Sequence, residues 1–306
     1  MSLRRLDDIE ALILAVERGS LTAAATALGS TPSAVSRAIS RLEQRLGVQL
    51  LRRSTRSLGL TEAGQRYLEQ SRHAFALLDD AERTLQGQRE RLAGRVRISA
   101  PTTYGHHRLP LRLRDFAARH PQVEIELSIG NRNVDLVAEG FDIAIRAGEL
   151  PDSGLVARPL EDATFRLVAA PAYLQAHGVP ADLRALAAHR CLAFVMPSTG
   201  RVMPWLLRED DRDVDWTPSA TLKVADDPLG LVALARAGAG ICQTYEFIVA
   251  DDLRRGDLVE VLPQTRGRTR GFSLLYAPHR QLSGAARALI EALTSTASRE
   301  ALLPGE

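Results

Sequence analysis

The hydrophobic pattern changes at Ala93-Gly94, and this change constrains the fold more than any other feature of the chain. Before it, apolar residues recur at helical spacing. After it, short apolar runs alternate with helical segments, which is typical of a mainly parallel sheet flanked by helices. We therefore predict an N-terminal part made of helices with one short β insertion. The α/β part, residues 95–306, is long enough to form two lobes.

The bulk composition excludes several classes of protein. A net charge of +2 over 306 residues rules out a polycation, so any contact with nucleic acid depends on locally clustered charge. No apolar run approaches the ~20 residues of a membrane span, and Met1–Asp8 lacks the apolar run of a signal peptide. We expect a cytoplasmic protein without a membrane partner. In that reducing compartment, Cys191 and Cys242 are expected to be buried small hydrophobes rather than a disulfide.

Capping residues mark two short helices after the first one. Ser20 is placed to cap the second helix, and Gly29 is placed to stop it. Thr31 caps the third helix, with Pro32 at its first position, where a missing N–H group costs nothing. Gly47 then ends this helix. Two short helices joined by a tight turn fit helix-turn-helix geometry.

The third helix has one apolar face and one polar face. A stripe at helical spacing is predicted to be buried: Val35, Ile39, Leu42 and Leu46. The opposite face carries hydroxyls, an amide and guanidinium groups: Ser33, Arg37, Ser40, Arg41 and Gln44. Guanidinium groups neutralise phosphates and short polar side chains reach base edges, so this is the face that a DNA-reading helix needs.

A basic hairpin extends this positive surface. Residues 48–60 are predicted to form a wing, because two short apolar pieces flank a polar tip. Its arginines are Arg52, Arg53 and Arg56. A charged helix face alone is commonly only solvated. The caps, the polar face and the basic wing occur together, which favours DNA binding.

A long helix is predicted from Thr61-Glu62 to about Leu92. Residues at seven-residue spacing form a short seam along it: Tyr67, Ala74 and Ala81 in one set, and Leu78, Leu85 and Leu92 in the other. A lone amphipathic helix of this length needs a partner surface, and a second copy of itself is the simplest one. We predict a homodimer through this helix.

Residues 6–64 resemble the DNA-binding domain of LysR-type transcriptional regulators. Three pieces are especially specific: Ala34-Val35-Ser36-Arg37, Arg41-Leu42-Glu43 with Leu46-Gly47-Val48-Gln49-Leu50, and Leu60-Thr61-Glu62-Ala63-Gly64. The resemblance continues more loosely through Phe141-Asp142-Ile143-Ala144-Ile145-Arg146 and Ala239-Gly240-Ile241. It therefore covers nearly the whole chain.

The resemblance implies a fold of class α plus α/β with three parts. These are a winged helix-turn-helix (1–61), a linker and dimerisation helix with a hinge (62–94), and a two-lobed, periplasmic-binding-protein-like effector domain made of two Rossmann-like subdomains (95–306). Lobe I would cover about 95–163 and 269–306, and lobe II about 164–268, with crossovers near Glu161–Phe165 and Arg266–Gly271. It also implies dimers that often assemble into tetramers, and a small-molecule effector bound between the lobes.

By matching position, the resemblance assigns roles at the DNA. The major-groove residues would be Thr31, Pro32, Ser33, Ser36 and Arg37, while Arg53 and Thr55 in the wing would meet the backbone or minor groove. Many members have glutamine where this chain has Pro32. The base contact of that glutamine is absent, so no operator preference carries over.

The effector cleft is predicted at loops that follow strands, because ligands of two-lobed α/β sensors sit at the carboxyl ends of strands. After a predicted strand at 96–99 come two threonine hydroxyls before a helix, a plausible anion cradle. The predicted effector-binding residues are Ser99, Pro101, Thr102, Thr103, Asn131, Arg146, Met196, Ser198 and Asp227. We expect a polar or anionic metabolite, although ordinary turn chemistry also accounts for such residues and Arg146 could instead pair with Glu149 or Asp142.

Three other functions are less consistent with the sequence. An enzyme is disfavoured because the chain has no nucleophile elbow, Walker loop or metal-spaced His/Glu pattern, and we predict no cofactor. Adjacent His106 and His107 point apart on most backbones and are not predicted to hold a metal. A transport-type binding protein is disfavoured because it would have no use for an N-terminal DNA-binding unit. Redox sensing through Cys191 and Cys242 is disfavoured by their apolar surroundings.

Overall fold

The computed structural model describes residues 3–53, 58–85, 92–148, 154–278 and 282–295. The chain divides into two compact units: residues up to 90 with 135–140, and residues 91–134 with 141–306. In the described ranges, no helix is both long enough and apolar enough to cross a membrane.

The N-terminal unit is a winged helix-turn-helix followed by a long helix. Its elements are α1 (Leu3–Glu17), α2 (Leu21–Ala27), α3 (Pro32–Leu46), β1 (Leu51–Arg53), β2 (Leu58–Leu60) and α4 (Glu62–Leu85). Two predicted caps are confirmed: Ser20 Oγ accepts from the N–H of Ala23 at 3.0 Å, and Thr31 Oγ1 from that of Ala34 at 3.2 Å. Gly47 ends α3 at φ +69°, a left-handed conformation that glycine adopts without strain.

The apolar stripe of α3 is buried except at its end. Val35, Ala38, Ile39 and Leu42 are buried among residues of α1, α2 and α4. Leu46, predicted to be buried, is 38% exposed, so this prediction was wrong. It lies in the last turn, where the chain from Gln44 to Gln49 is exposed throughout.

Helix α4 begins as predicted and does not reach its predicted end. Thr61 caps it, since its Oγ1 accepts from the N–H of Gly64 at 2.9 Å. Leu92, predicted to close the seam, is not helical, and its side chain packs against the core of the C-terminal unit. The prediction was therefore wrong at Leu92. Residues 86–91 lie outside the described residues.

The C-terminal unit alternates strands and helices. Its strands are β3 (Gly94–Ala100), β4 (Val123–Ile129), β5 (Ile143–Ala147), β6 (Val156–Ala169), β7 (Leu192–Val195), β8 (Trp205–Glu209), β9 (Arg212–Trp216), β10 (Leu222–Ala225), β11 (Cys242–Tyr245), β12 (Val259–Val261) and β13 (Thr269–Tyr276). Its helices are α5 (Thr102–His107), α6 (Leu109–Arg119), α7 (Pro171–His177), α8 (Leu183–Leu186), α9 (Leu229–Arg236), α10 (Glu246–Arg255) and α11 (Gly284–Thr294), with a 3-10 turn at Pro263–Thr265. The sequence pattern predicts a helix from Leu109 to Arg119 and a strand from Val123 to Ile129, and both bounds are confirmed.

Two long antiparallel strands connect two halves of this unit. The main sheet has the order β11-β6-β13-β5-β3-β4, with β12 also beside β6. Strand β3 is parallel to β4 and β5, and β7 is parallel to β10, whereas β6 and β13 are antiparallel to their neighbours. The sheet is therefore mixed rather than mainly parallel. We call the half around β3–β5 lobe I and the half around β7, β10 and β11 lobe II.

The chain leaves lobe I within β6 and returns along β13. Thr164 to Glu161 pair with Thr269 to Phe272, so the two crossovers run side by side. A buried core lines both sides of them, and in it the ring of Tyr245 contacts the rings of both Phe165 and Phe272.

Some elements differ from the sequence pattern. The pattern from Asn133 to Glu139 predicts a short helix, but residues 136–140 form turns, because the Asp135 carboxylate accepts from the N–H groups of Val137 and Ala138. The hairpin β8–β9 was not predicted. Asp210 and Asp211 form its turn at φ +47° and +59°, and two aspartates are a weaker turn signal than Asn-Gly.

Candidate DNA interface and ligand cleft

The start of α3 presents a continuous exposed polar surface. The residues predicted to approach a major groove are all exposed, as such a contact requires: Thr31, Pro32, Ser33, Ser36 and Arg37. The cap fixes this end of the helix, since Thr31 Oγ1 also lies 3.1 Å from Ser33 Oγ. Among the described residues no ion pair involves Arg37. The surface can therefore offer hydroxyls and one guanidinium group to an external ligand.

The arginines further along α3 are held by a buried acid. Asp8 of α1 is only 3% exposed, and its carboxylate accepts from Arg41 at 2.6 Å and from Arg45 at 3.4 Å. The Arg41 side chain is still 56% exposed. Arg41, predicted as a DNA contact, thus has a structural bond between α1 and α3 that the sequence analysis did not foresee.

The wing is a two-stranded antiparallel ribbon. Leu51 pairs with Leu60, Arg52 with Gly59 and Arg53 with Leu58. Arg52 is exposed, and its stem lies over the open face of Gly59. The side chain of Arg53, together with Thr55 and Arg56 at the tip, lies outside the described residues.

In the C-terminal unit, a set of hydrogen bonds joins lobe I to lobe II. Thr102, at the start of α5, donates from its hydroxyl to Asp227 Oδ1 at 2.8 Å. Asn131, after β4, donates from its amide to Thr102 Oγ1 at 2.9 Å and to the Asp226 carbonyl at 2.6 Å. Its Oδ1 accepts from the N–H of Thr102 at 3.2 Å. Thr102 and Asn131 of lobe I are therefore already bonded to the loop that follows β10 in lobe II.

Arg146 donates hydrogen bonds to neutral acceptors on β3, on β5 and in the loop after β4. Its guanidinium donates to Ser99 Oγ at 3.0 Å and to the Ile145 carbonyl at 2.7 Å, and it reaches the Arg132 carbonyl at 3.4 Å. Ser99 is buried and Arg146 is half-buried. Strand ends of β3 and β5 and the loop after β4 thus meet, as the sequence analysis expected.

A cavity of about 330 Å³ lies at this edge of the sheet. Its lining residues are Ser99, Ser128, Ile129, Gly130, Asn131, Arg132, Val134, Pro197 and Asp226. Both lobes contribute, since Pro197 and Asp226 follow β7 and β10. The volume suits a small metabolite.

Family models match both units of the chain. Residues 6–65 match the model described as bacterial regulatory helix-turn-helix protein, lysR family, and residues 89–298 match the LysR substrate binding domain. The second match alone covers more than half of the chain. The protein belongs to the LysR-type transcriptional regulators.

Relatives of this regulator carry consistent names. The HTH-type transcriptional regulator CrgA of Neisseria meningitidis serogroup C is 35% identical over 272 residues, covering 88% of this chain and 89% of that protein. An HTH-type transcriptional repressor of Pseudomonas aeruginosa is 34% identical, covering 94% of this chain and 90% of the relative.

Solved structures of full-length regulators have the same fold. CrgA, a LysR-type transcriptional regulator from Neisseria meningitidis, matches at a TM-score of 0.59 with 32% identity, covering 94% of this chain and 97% of that one. The Vibrio cholerae virulence activator AphB matches at 0.58 with 27% identity, covering 96% and 98%.

Membership settles the general function. This LysR-type regulator binds DNA through its helix-turn-helix and a small-molecule effector through its C-terminal domain, and it is a transcriptional regulator rather than an enzyme. Within the described residues, no group of three or more His, Cys, Asp or Glu side chains is placed to hold a metal.

The cleft of the regulator gathers some predicted residues and not others. Ser99 and Asn131 line the cavity. Thr102 bonds to Asn131 and Arg146 bonds to Ser99, whereas Asp227 reaches the cavity wall through Thr102. The remaining predicted residues do not line it: Pro101, Thr103, Met196 and Ser198. Thr103 is buried, Met196 packs against the core, and Ser198 is exposed in the turn after it.

Sequence reasoning missed several residues of the two sites. Pro197 and Asp226 line the cavity from lobe II, and Asp226 lies at φ +62°, which is uncommon for a residue other than glycine. The run Asp226-Asp227-Pro228 was the only available signal, because such residues favour turns. In the N-terminal unit, Asp8 and Glu43 bond to α3 or to the wing, and neither contact is visible in a linear pattern.

The two cysteines are not placed for redox chemistry. Both thiols are buried, and burial raises the pKa of Cys191 and of Cys242 to about 12. A thiolate is the reactive form, so neither sulfur is activated. This agrees with the prediction of inert burial.

Proposed function

We propose that this regulator reads its operator with the exposed start of α3 and holds the duplex with the wing. The proposed groove contacts are Thr31, Pro32, Ser33, Ser36 and Arg37, and the proposed backbone contacts are Arg52, Arg53, Thr55 and Arg56. Exposure of the α3 residues supports this assignment. Arg41 remains in its ion pair with Asp8 and is left out of the contacts that read bases.

The effector site is the cavity between the lobes, and the bonds of Thr102 are its switch. The observation that carries this proposal is the set of hydrogen bonds from Thr102 and Asn131 to Asp226 and Asp227 across the cleft. An incoming anion accepts from the same hydroxyl that now donates to the Asp227 carboxylate. Effector and Asp227 therefore compete for Thr102, and binding changes how the lobes are joined.

The effector is a small polar metabolite, most simply an organic anion. Hydroxyl and amide groups of Ser99, Thr102 and Asn131 and the guanidinium of Arg132 lie at or beside the cavity. The ligand shifts the regulator between states only by the difference in its affinity for them. We propose that this difference in affinity arises because the ligand breaks the hydrogen bonds that join the two lobes.

A thermal-shift screen of the full chain against a library of small acids, amines and neutral metabolites tests the site. We expect acids to stabilise the protein, Thr102→Ala to lose the response, and Thr102→Ser, which keeps the hydroxyl, to retain it. Effector-free DNA binding is expected to survive in both variants. If only cations or apolar compounds stabilise the chain, or if Thr102→Ala responds normally, the proposed site is wrong.

We further propose a homodimer through α4 that assembles into a tetramer. Ala74, Leu78 and Ala81 are exposed, and Leu78 is 49% exposed. Tyr67, the first predicted seam residue, is half-buried against the core of its own unit, and the side chain of Leu85 lies outside the described residues. We also propose the domain limits 1–61 for the winged helix-turn-helix, 62–94 for the linker helix and hinge, and 95–306 for the effector domain. The proposed place of action is the cytoplasm, where the regulator binds its operator.

Sedimentation of Leu78→Glu tests the dimer. An unpaired carboxylate at the seam is costly to bury, so the variant is expected to dissociate and to lose specific DNA binding. Val179→Glu is the matched control, because Val179 is 67% exposed in the other unit. An intact dimer for Leu78→Glu would overturn this interface.

A further inference from the structure

Three elements of the DNA-binding unit meet at the backbone of one buried residue, Leu50. From α3, Glu43 Oε1 accepts from the N–H of Leu50 at 2.8 Å and from that of Leu51 at 3.1 Å. Leu50 is fully buried. The carboxylate of Glu43 thus holds the first strand of the wing by two charge-assisted hydrogen bonds.

The start of α4 holds the same residue from the other side. The carbonyl of Leu50 accepts from the N–H of Thr61 at 2.9 Å. The Thr61 hydroxyl donates to the Gln49 carbonyl at 2.7 Å and accepts from the N–H of Gly64 at 2.9 Å. One threonine therefore caps α4 and anchors the strand entering the wing.

These bonds matter because the wing cannot set its own position. Strands β1 and β2 have three residues each, and an isolated two-stranded ribbon is marginally stable in water. Glu43 forms no ion pair among the described residues, so its charge is directed to the strand and not to a neighbouring arginine. The register of Arg52 relative to α3 depends on these contacts.

We propose that Glu43 and Thr61 are positioning residues for DNA binding. They hold the wing beside α3 so that Arg52 reaches a phosphate of the duplex whose major groove receives Arg37. This inference rests on the proposed DNA contacts of α3 and the wing. It adds that the junction around Leu50, which does not touch DNA, decides whether both contacts form together.

The salt dependence of operator binding by the full-length protein tests this proposal. Loss of one phosphate contact lowers the slope of log K against log salt concentration by about 1, whereas a loss of folded protein lowers affinity without changing the slope. We expect Glu43→Ala, Thr61→Val and Arg52→Ala each to lower the slope by about 1 for every subunit bound at the operator. The double variant Glu43→Ala with Arg52→Ala is expected to show no further decrease.

Conservative variants separate positioning from stability. Glu43→Gln keeps an oxygen that accepts both N–H groups, and Thr61→Ser keeps the hydroxyl, so both are expected to retain the wild-type slope. If Arg52→Ala lowers the slope while Glu43→Ala and Thr61→Val leave it unchanged, the positioning role is wrong and the wing contact stands. If Arg52→Ala also leaves it unchanged, the wing contact itself is wrong and both proposals fall.

Discussion

The proposed DNA-reading surface and the proposed effector cleft differ in how their polar groups are bonded. The start of α3 exposes its polar groups within a few consecutive residues, Thr31 to Arg37. The cleft bonds its polar groups to one another, and Thr102 and Asp227 are 125 positions apart. Under our proposal, DNA contacts exposed donors, whereas the effector first displaces internal hydrogen bonds.

This difference indicates that the exposed groups of α3 contribute to affinity for DNA, whereas the bonded groups of the cleft couple ligand binding to a change of domain arrangement. An exposed guanidinium contributes to binding and little to folding. An internal hydrogen bond contributes about 0.5–1.5 kcal/mol to folding and has to be exchanged for a ligand contact. A cleft built in this way makes ligand binding and domain arrangement the same equilibrium.

The largest expected effects come from one glycine in each unit. A Cβ at Gly64 would lie 2.0 Å from the Leu50 carbonyl oxygen, and a Cβ at Gly240 would lie 2.2 Å from that of Arg190. Both backbones must shift, at a cost of about 3 kcal/mol. We expect Gly64→Ala to abolish DNA binding and Gly240→Ala to destabilise the effector unit.

Intrinsic fluorescence separates these two variants. Trp205 and Trp216, the two tryptophans, both lie in the β8–β9 hairpin of the C-terminal unit. The unfolding midpoint by tryptophan emission should fall for Gly240→Ala and stay unchanged for Gly64→Ala. The reverse result would contradict the separation of the two units.

Two arginines test whether exposure predicts function. Arg37→Ala should weaken operator binding by about 1–3 kcal/mol in a gel-shift titration and leave the unfolding midpoint unchanged. Arg146→Ala leaves the Ser99 hydroxyl and a backbone carbonyl without their donor, so it should lower the free energy of unfolding by about 1–2 kcal/mol. Effector-free operator binding by Arg146→Ala should match the wild type. Equal operator affinity for Arg37→Ala would refute the reading face.

Two buried aspartates give a smaller, parallel test. Asp8 is held by Arg41 and Arg45, and Asp252 by Arg236 and Arg255, and each carboxylate is 3% exposed. Substitution of either by asparagine should cost about 1 kcal/mol of stability, since an acceptor remains and the arginines reach water. Asp8→Asn should also raise non-specific DNA affinity at low salt, because it removes a negative charge beside α3. Asp252→Asn is the control and should leave that affinity unchanged.

The smallest effect concerns the thiols. Burial raises the pKa of both thiols to about 12, so almost no thiolate forms near neutral pH. We expect Cys191 and Cys242 to resist a disulfide reagent at pH 8 in the native protein and to react fully in denaturant. Rapid reaction of either native thiol would restore the redox hypothesis.

The sequence alone determined the local elements of the N-terminal unit and the exposed polar face of α3. Ser20, Thr31 and Gly47 define helix ends through bonds to residues three or four positions away, so their roles are visible in the linear order. The outward position of Arg37 follows from helical periodicity. These inferences succeed because the interacting groups are neighbours in the chain.

Tertiary structure decided which distant groups meet. Asp8 bonds to Arg41 across 33 positions, Glu43 bonds to the wing, and Thr102 bonds to Asp227. Leu46 lies on the apolar stripe and is exposed because no element of the described residues covers the end of α3. Each outcome depends on the packing of elements that are remote in sequence, and periodicity and capping rules contain no information about that packing.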